Sequence, residues 1–250
     1  MTAHDGWCLL EGQGNGVRVP SSRSRTPARA RASPAARTRV YRGQSNLERR
    51  EERRDRLLAA GLDLFGTAGY AATSIEGICT TAGVTARHFY EHFASREALL
   101  RAVYDGVIAE TQRAVLRALT HSTDAEARAT AGVRAFVHAY LEDPRRARIA
   151  CIEVIGVSAD FERHRRSVIH AFAAVIQAQA EALAAAGTIA VARSYQLAGI
   201  AMAGAVNELM SDWIIRRDKP PIVRFSQDIV DFFLAVMKGS AVGTSTRSTK

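Results

Sequence analysis

From Arg56 to Leu100 the chain reads RLLAAGLDLFGTAGYAATSIEGICTTAGVTARHFYEHFASREALL, three short helical segments punctuated by Gly69, Gly83 and Ser95. In the first, Leu57, Leu58, Gly61, Leu62 and Phe65 form one apolar stripe, and Arg49, Arg50, Arg53 and Arg54 occupy the turns before it. Gly69 ends that helix. Thr73-Ser74-Ile75-Glu76 reads as a capping box, with the Thr73 hydroxyl accepting from the Glu76 amide, and it sets the start of the second helix. Ile75 and Ile78 face inward, and Ala82-Gly83-Val84 makes the turn, where glycine takes a positive φ at little steric cost.

The third helix is expected from an N-cap at Thr85 to about His92. Phe89 and Phe93, four apart, pin its inner side, which leaves Ala86, Arg87, His88, Tyr90 and His92 facing out. A dense one-sided array of donors on a helix fixed from behind is what base reading requires in a major groove about 12 Å wide. Helix, helix, tight turn and short helix in that order is a helix-turn-helix, and the expectation is a DNA-binding protein.

Composition bounds the rest. At 250 residues and 47% apolar content the chain can bury a substantial core, as one large domain or as a small one plus a larger one. Many Ala and Leu, without long alternating β-branched runs, favour an all-α fold. Cys8, Cys79 and Cys151 lie too far apart for a local metal cluster and read as free thiols in a reducing cytoplasm, so no cofactor or metal is expected. The first ten residues lack the basic and apolar regions of a signal peptide, and the apolar run near Leu197 to Val206 is too short to cross a bilayer. A soluble, cytoplasmic chain without a membrane partner is expected.

The net charge is +9, and residues 1 to 45 alone hold eight arginines against Asp5 and Glu11. Residues 46 to 103 balance eight arginines with eight acids, so charge says little about the helix-turn-helix itself. The tail, rich in Arg, Ala, Ser and Pro, is expected to be disordered: either a basic arm adding phosphate contacts or an idle extension. Its Gly12, Gly14 and Gly16 lack the strand and helix that a nucleotide loop needs.

Beyond Ser95, an N-cap, helical periodicity continues. A fourth helix runs through Leu99, Val103 and Val107 toward Leu119. A fifth carries Val133, Phe136, Val137, Tyr140 and Leu141 and stops before Asp143-Pro144. A sixth holds Ile149, Ile152 and Ile155, and a seventh runs from about Ala159 to Ala186. An eighth is expected from about Ile189 to Arg217, and a ninth follows Pro220-Pro221. The last two are apolar on more than one face, as helices covered by a second subunit would be, and Gly199 and Ala203 would permit close approach.

LF at Leu64-Phe65, GY at Gly69-Tyr70, TS at Thr73-Ser74, AGVT from Ala82 to Thr85, FY at Phe89-Tyr90 and F-x-SRE-x-LL from Phe93 to Leu100 together resemble the N-terminal domain of the TetR family of transcriptional regulators. The resemblance covers roughly fifty residues, and beyond them it extends only to helical layout. It implies an N-terminal three-helix helix-turn-helix domain (46–94), a helical effector-binding and dimerisation domain (95–239), and tails over 1–45 and 240–250. It further implies a repressor, not an enzyme, that binds a pseudo-palindromic double-stranded operator as a homodimer through its two C-terminal helices and is released by a small, largely apolar effector. By the same resemblance Thr73, Thr85, Tyr90, His92 and Arg96 hold phosphates, while Arg87 and His88 face bases, with Ala86 beside them on the DNA-binding helix. An effector pocket would draw on Phe136, Tyr140, Cys151, Phe172, Met202 and Met210, with Glu153 or Asn207 as polar contacts. The chain departs from the family at Arg87-His88, where a glycine and a small hydroxyl residue are common, and at Cys79, where alanine is.

Two other readings belong beside this one. His88-Phe89-Tyr90-Glu91-His92 matches H-x-x-E-H, in which His88, Glu91 and His92 would serve a zinc-dependent hydrolase, although no third ligand motif follows. A non-specific architectural DNA-binding protein would lean on the basic tail instead.

Overall fold

A computed structural model of the chain describes residues 34–189 and 194–239, with side chains described from Asn46 onward. The regular elements among them are all helical: α1 (Pro34–Thr67), α2 (Ile75–Ala82), α3 (Ala86–Tyr90), α4 (Arg96–Leu119), α5 (Ala125–Leu141), α6 (Pro144–Arg148), α7 (Ala159–Ala185), α8 (Gln196–Ile215) and α9 (Ile222–Gly239), with a π-helical turn at Ile149–Glu153. The expectations for residues 1–33, Cys8 and the glycine run included, and for 240–250 lie outside the described residues. From Pro34 the backbone is already helical, well ahead of the expected boundary at Asn46. Pro at the first position and the Ala and Arg that follow favour that start.

Contacts divide the chain into residues 1–51 and 52–250. In the first part the described side chains, such as Leu47 and Arg49, are exposed. The second part holds the remaining helices. One apolar core joins Leu57 and Phe65 of α1, Ile78 of α2, Phe89 of α3 and Leu99 and Leu100 of α4, and continues into Leu141, Ile149, Phe161, Met210 and Trp213. A second core lies among α5, α7, α8 and α9 around Leu183, Tyr195, Met202, Phe233 and Met237.

Hydroxyl and carboxylate caps place the helix starts. Thr85, Ser95, Asp124, Asp143 and Ser158 each accept from a backbone amide in the first turn of the helix that follows. At α2 the cap is Ser74, which accepts from the Gly77 amide at 3.0 Å; the expected Thr73 cap is corrected, because Thr73 is buried and its hydroxyl donates to the Gly69 carbonyl at 2.7 Å. Gly83 ends α2 with φ 62°, and its amide bonds back to the helix's last carbonyls.

Two expectations about the C-terminal part change. The sixth helix is α6 alone, running into the π-helical turn, and Ile155 beyond it is 58% exposed instead of facing inward. The eighth begins at Gln196, and residues 190–193 before it are outside the described residues. Helix α7 is long and apolar enough, by length and composition alone, to cross a membrane. In the fold it packs along α8.

Candidate functional site

Helix α3 is held from behind. Phe89 is fully buried and Phe93 nearly so, their rings 6.0 Å apart, and Arg54 of α1 lies over the Phe93 ring at 5.6 Å. Burying one such aromatic side chain contributes about 1.5 to 3 kcal/mol, enough to fix the orientation of a single-turn helix. The Thr85 hydroxyl takes the His88 amide at 3.4 Å and lies 3.1 Å from His88 Nδ1, so the cap also orients that ring. Arg56 donates to the Gly83 carbonyl at 3.4 Å and steadies the turn.

Outward lie Thr85, Ala86, Arg87 and Tyr90. The Arg87 side chain is 88% exposed and meets Glu91 at only 3.5 Å, a loose surface pair worth little against a nucleic-acid contact. Tyr90 is 59% exposed with its ring edge-on to Phe89, so its hydroxyl projects from a fixed base. His88 is half-buried beside Thr85. Of the five side chains that the spacing predicts to face out, Ala86, Arg87 and Tyr90 are exposed and His88 and His92 are half-buried.

Three expected phosphate ligands stand elsewhere. Thr73 is sealed in the α1–α2 corner. Arg96 donates to the Thr73 carbonyl and stacks over Tyr70 at 4.2 Å, so its guanidinium clamps the start of α4 to that corner. His92 is half-buried with its ring against Phe93. Register misled here: α3 ends at Tyr90, and His92 lies beyond it in a turn. Ser74, exposed at the start of α2, went unnoticed because the cap was given to its neighbour. His88, Glu91 and His92 are not brought together; no group of three or more His, Cys, Asp or Glu among the described residues is placed to hold a metal. Cys79 is a buried small side chain whose thiol burial pushes up, which suits packing and not reactivity.

The helices of the C-terminal part line an apolar cavity that opens to solvent. Of the expected pocket residues, Phe136, Tyr140, Phe172, Met202 and Asn207 line it. Cys151 and Met210 do not: both are buried in the main core, and burial pushes the Cys151 thiol up to about 12. Sequence reasoning missed Tyr104, Arg165 and Gln179 on its wall. The first two sit on helix faces that periodicity marks as core or solvent, and only the packing of α4 against α7 turns them to one space. Burial pushes the Tyr104 and Tyr140 phenols well above their usual range, so both line the cavity as neutral groups.

Glu153, the last expected pocket residue, has a different place. Its carboxylate accepts from the Tyr70 amide at 2.7 Å and from Arg148 at 2.9 Å, and it lies against Gly69, whose φ of 95° only glycine adopts easily. Arg145 bonds Asp63 of α1 at 3.0 Å and Asp143 at 2.8 Å, and its stem packs on Gly66 so closely that a Cβ there would meet it at 2.4 Å. Helix α6 and the π-helical turn are thus strapped to α1 and its corner, and α4 runs from the helix-turn-helix to the cavity wall.

Residues 57–103 match the family model described as bacterial regulatory proteins, tetR family. The HTH-type transcriptional activator FasR of Mycolicibacterium smegmatis is 37% identical over 87 residues, 35% of this chain and 40% of that protein. The HTH-type transcriptional regulator YerO of Bacillus subtilis is 41% identical over 49 residues, 20% of this chain and 17% of that protein. The matches span less than half the length of these relatives. Among solved structures, the fatty acid degradation regulator FadR from Bacillus halodurans superposes with a TM-score of 0.67 at 15% identity, over 73% of this chain and 94% of that one. FadR from Bacillus subtilis, solved with stearoyl-CoA, gives 0.66 at 14% identity over 72% and 97%. At such identities the likeness is one of fold, and it extends across the C-terminal helices that the family model leaves unmatched.

Proposed function

We propose that the chain, whose residues 57–103 match the tetR family of bacterial regulatory proteins, is a ligand-responsive transcriptional repressor that grips its operator as a homodimer and releases it when a small apolar effector fills the cavity. The observation that carries the reading is the outward edge of α3, where Arg87 and Tyr90 project from a helix pinned by Phe89 and Phe93. In this reading Arg87 meets a base and Tyr90 and Thr85 meet phosphates. Such a regulator acts in the cytoplasm, where the DNA is.

Dimerisation is supported by the apolar residues that α8 and α9 leave uncovered: Leu197, Ile215 and Val223 are more than 70% exposed, and Leu209 and Phe232 are each 38% exposed. Gly199 and Ala203 were expected at that interface. Gly199 instead packs on the Ala173 carbonyl of α7 in the same chain, and Ala203 lines the cavity. Gly204, with open space where a Cβ would stand, lies on the outer face with Leu197.

The test compares DNA flanking the chain's own gene with random duplex at one moderate salt concentration. A preference on the order of 10³ or more is expected of a specific regulator, and equal affinities would instead favour a non-specific architectural protein.

A further inference from the structure

We infer that the cavity's ligand is an unbranched long-chain fatty acid whose carboxylate is held by Arg165; its role as the effector rests on the regulator reading above. Lining residues follow α4 from Tyr104 to Leu119 and α7 from Arg165 to Gln179. At 1.5 Å per residue both walls run about 20 Å. An extended chain advances roughly 3.3 to 3.6 Å per three backbone atoms, so about sixteen to eighteen chain atoms span that length. The walls between the ends are aliphatic and aromatic, among them Ile108, Val115 and Phe172, which suits a flexible chain with no polar groups along it.

The ends differ. Arg165 is the one charged side chain among the described lining residues, with no carboxylate among them, so an anionic end finds a partner there. The Arg165 side chain is 18% exposed and grips Glu162 through two bonds of 2.9 and 2.8 Å. Glu162 also has Arg166 at 3.4 Å, so Arg165 can turn its fork to a ligand carboxylate without leaving Glu162 unpaired.

Equilibrium dialysis of the full chain against labelled palmitate, octanoate and hexadecan-1-ol tests this. One palmitate per chain is expected, with octanoate and the alcohol each weaker by roughly tenfold or more, since one lacks the length and the other the charged hydrogen bonds. Arg165→Gln should bring palmitate down to the level of hexadecan-1-ol, and Arg165→Lys should restore part of the difference. Equal binding of palmitate and hexadecan-1-ol by the unaltered chain would overturn the assignment, as would undiminished palmitate binding by an Arg165→Gln protein that unfolds at the wild-type temperature. The dialysis contains no DNA, so it decides the ligand class whatever the operator comparison returns.

Discussion

Arg87 and Tyr90 lie a few residues apart on one helix, and the proposed function gives them different work. The Arg87 fork is free to swing away from Glu91, and a bidentate contact with guanine discriminates by about 1 to 3 kcal/mol. Arg87→Ala should therefore relax preference at one base-pair position while leaving random-sequence binding nearly unchanged, as read by affinities for a set of singly substituted operators. A uniform loss would place Arg87 on phosphate. Tyr90→Phe removes a hydroxyl and no apolar surface, so it should weaken every sequence alike, by about 1 kcal/mol for one hydrogen bond. The exposed edge was legible in the sequence because two aromatics four apart dictate which side is buried. Thr73 and Arg96 were not, because a threonine one residue from a cap and an arginine at a helix start look alike in sequence whether they face solvent or a neighbouring carbonyl.

Short elements depend on their ends. The five-residue helix α6 begins at Asp143, whose carboxylate takes the Arg145 amide at 3.1 Å and the Arg145 guanidinium at 2.9 and 2.8 Å. The hydrogen bonds from Arg145 hold that carboxyl below its ordinary value. A depressed folded-state value means the cap stabilises the fold above the ordinary carboxylate range and loses its effect as pH falls through the lowered value. Asp143→Asn keeps a capping side chain and removes the charge facing Arg145, so it should cost up to about 1 kcal/mol at neutral pH, and the gap between variant and wild type in thermal unfolding should close in acid. An unchanged gap at low pH would show that the charge is not what matters. At α3, Phe89→Ala should cost about 3 to 5 kcal/mol and abolish DNA binding by unfolding the head. The number of helices among the described residues and the starts of α3, α4 and α7 followed from capping residues and apolar spacing, whereas the start of α1, the end of α3 and the start of α8 did not. The π-helical turn did not, because Ile149, Ile152 and Ile155 keep helical spacing whether or not an extra residue slips into the ladder.

At the scale of the whole molecule, the straps from α6 and its π-helical turn to α1 set how a filled cavity could be felt at the DNA. Glu153→Gln keeps the shape and removes the charge that takes the Tyr70 amide and Arg148. The expected result is a smaller ratio between DNA affinities measured without and with effector, a reduction within the coupling of about 1 to 3 kcal/mol usual for such linkage. The cavity was only half legible in sequence: Phe136, Tyr140 and Phe172 declare themselves as aromatics, whereas Arg165 becomes a wall residue only when α7 lies beside α4. For the proposed dimer, Leu197→Glu with Phe232→Glu should give a monomer in sedimentation and weaken operator binding sharply, because one head reads only half a site.

The central claim is that two copies of the Thr85–Tyr90 edge read one duplex together. Hydroxyl-radical footprinting on the DNA beside the gene tests it most directly. Two symmetry-related protected patches, centred about 34 Å apart on one face of the duplex, are the predicted result. A single patch, or even protection along random DNA at the same concentration, would contradict the account.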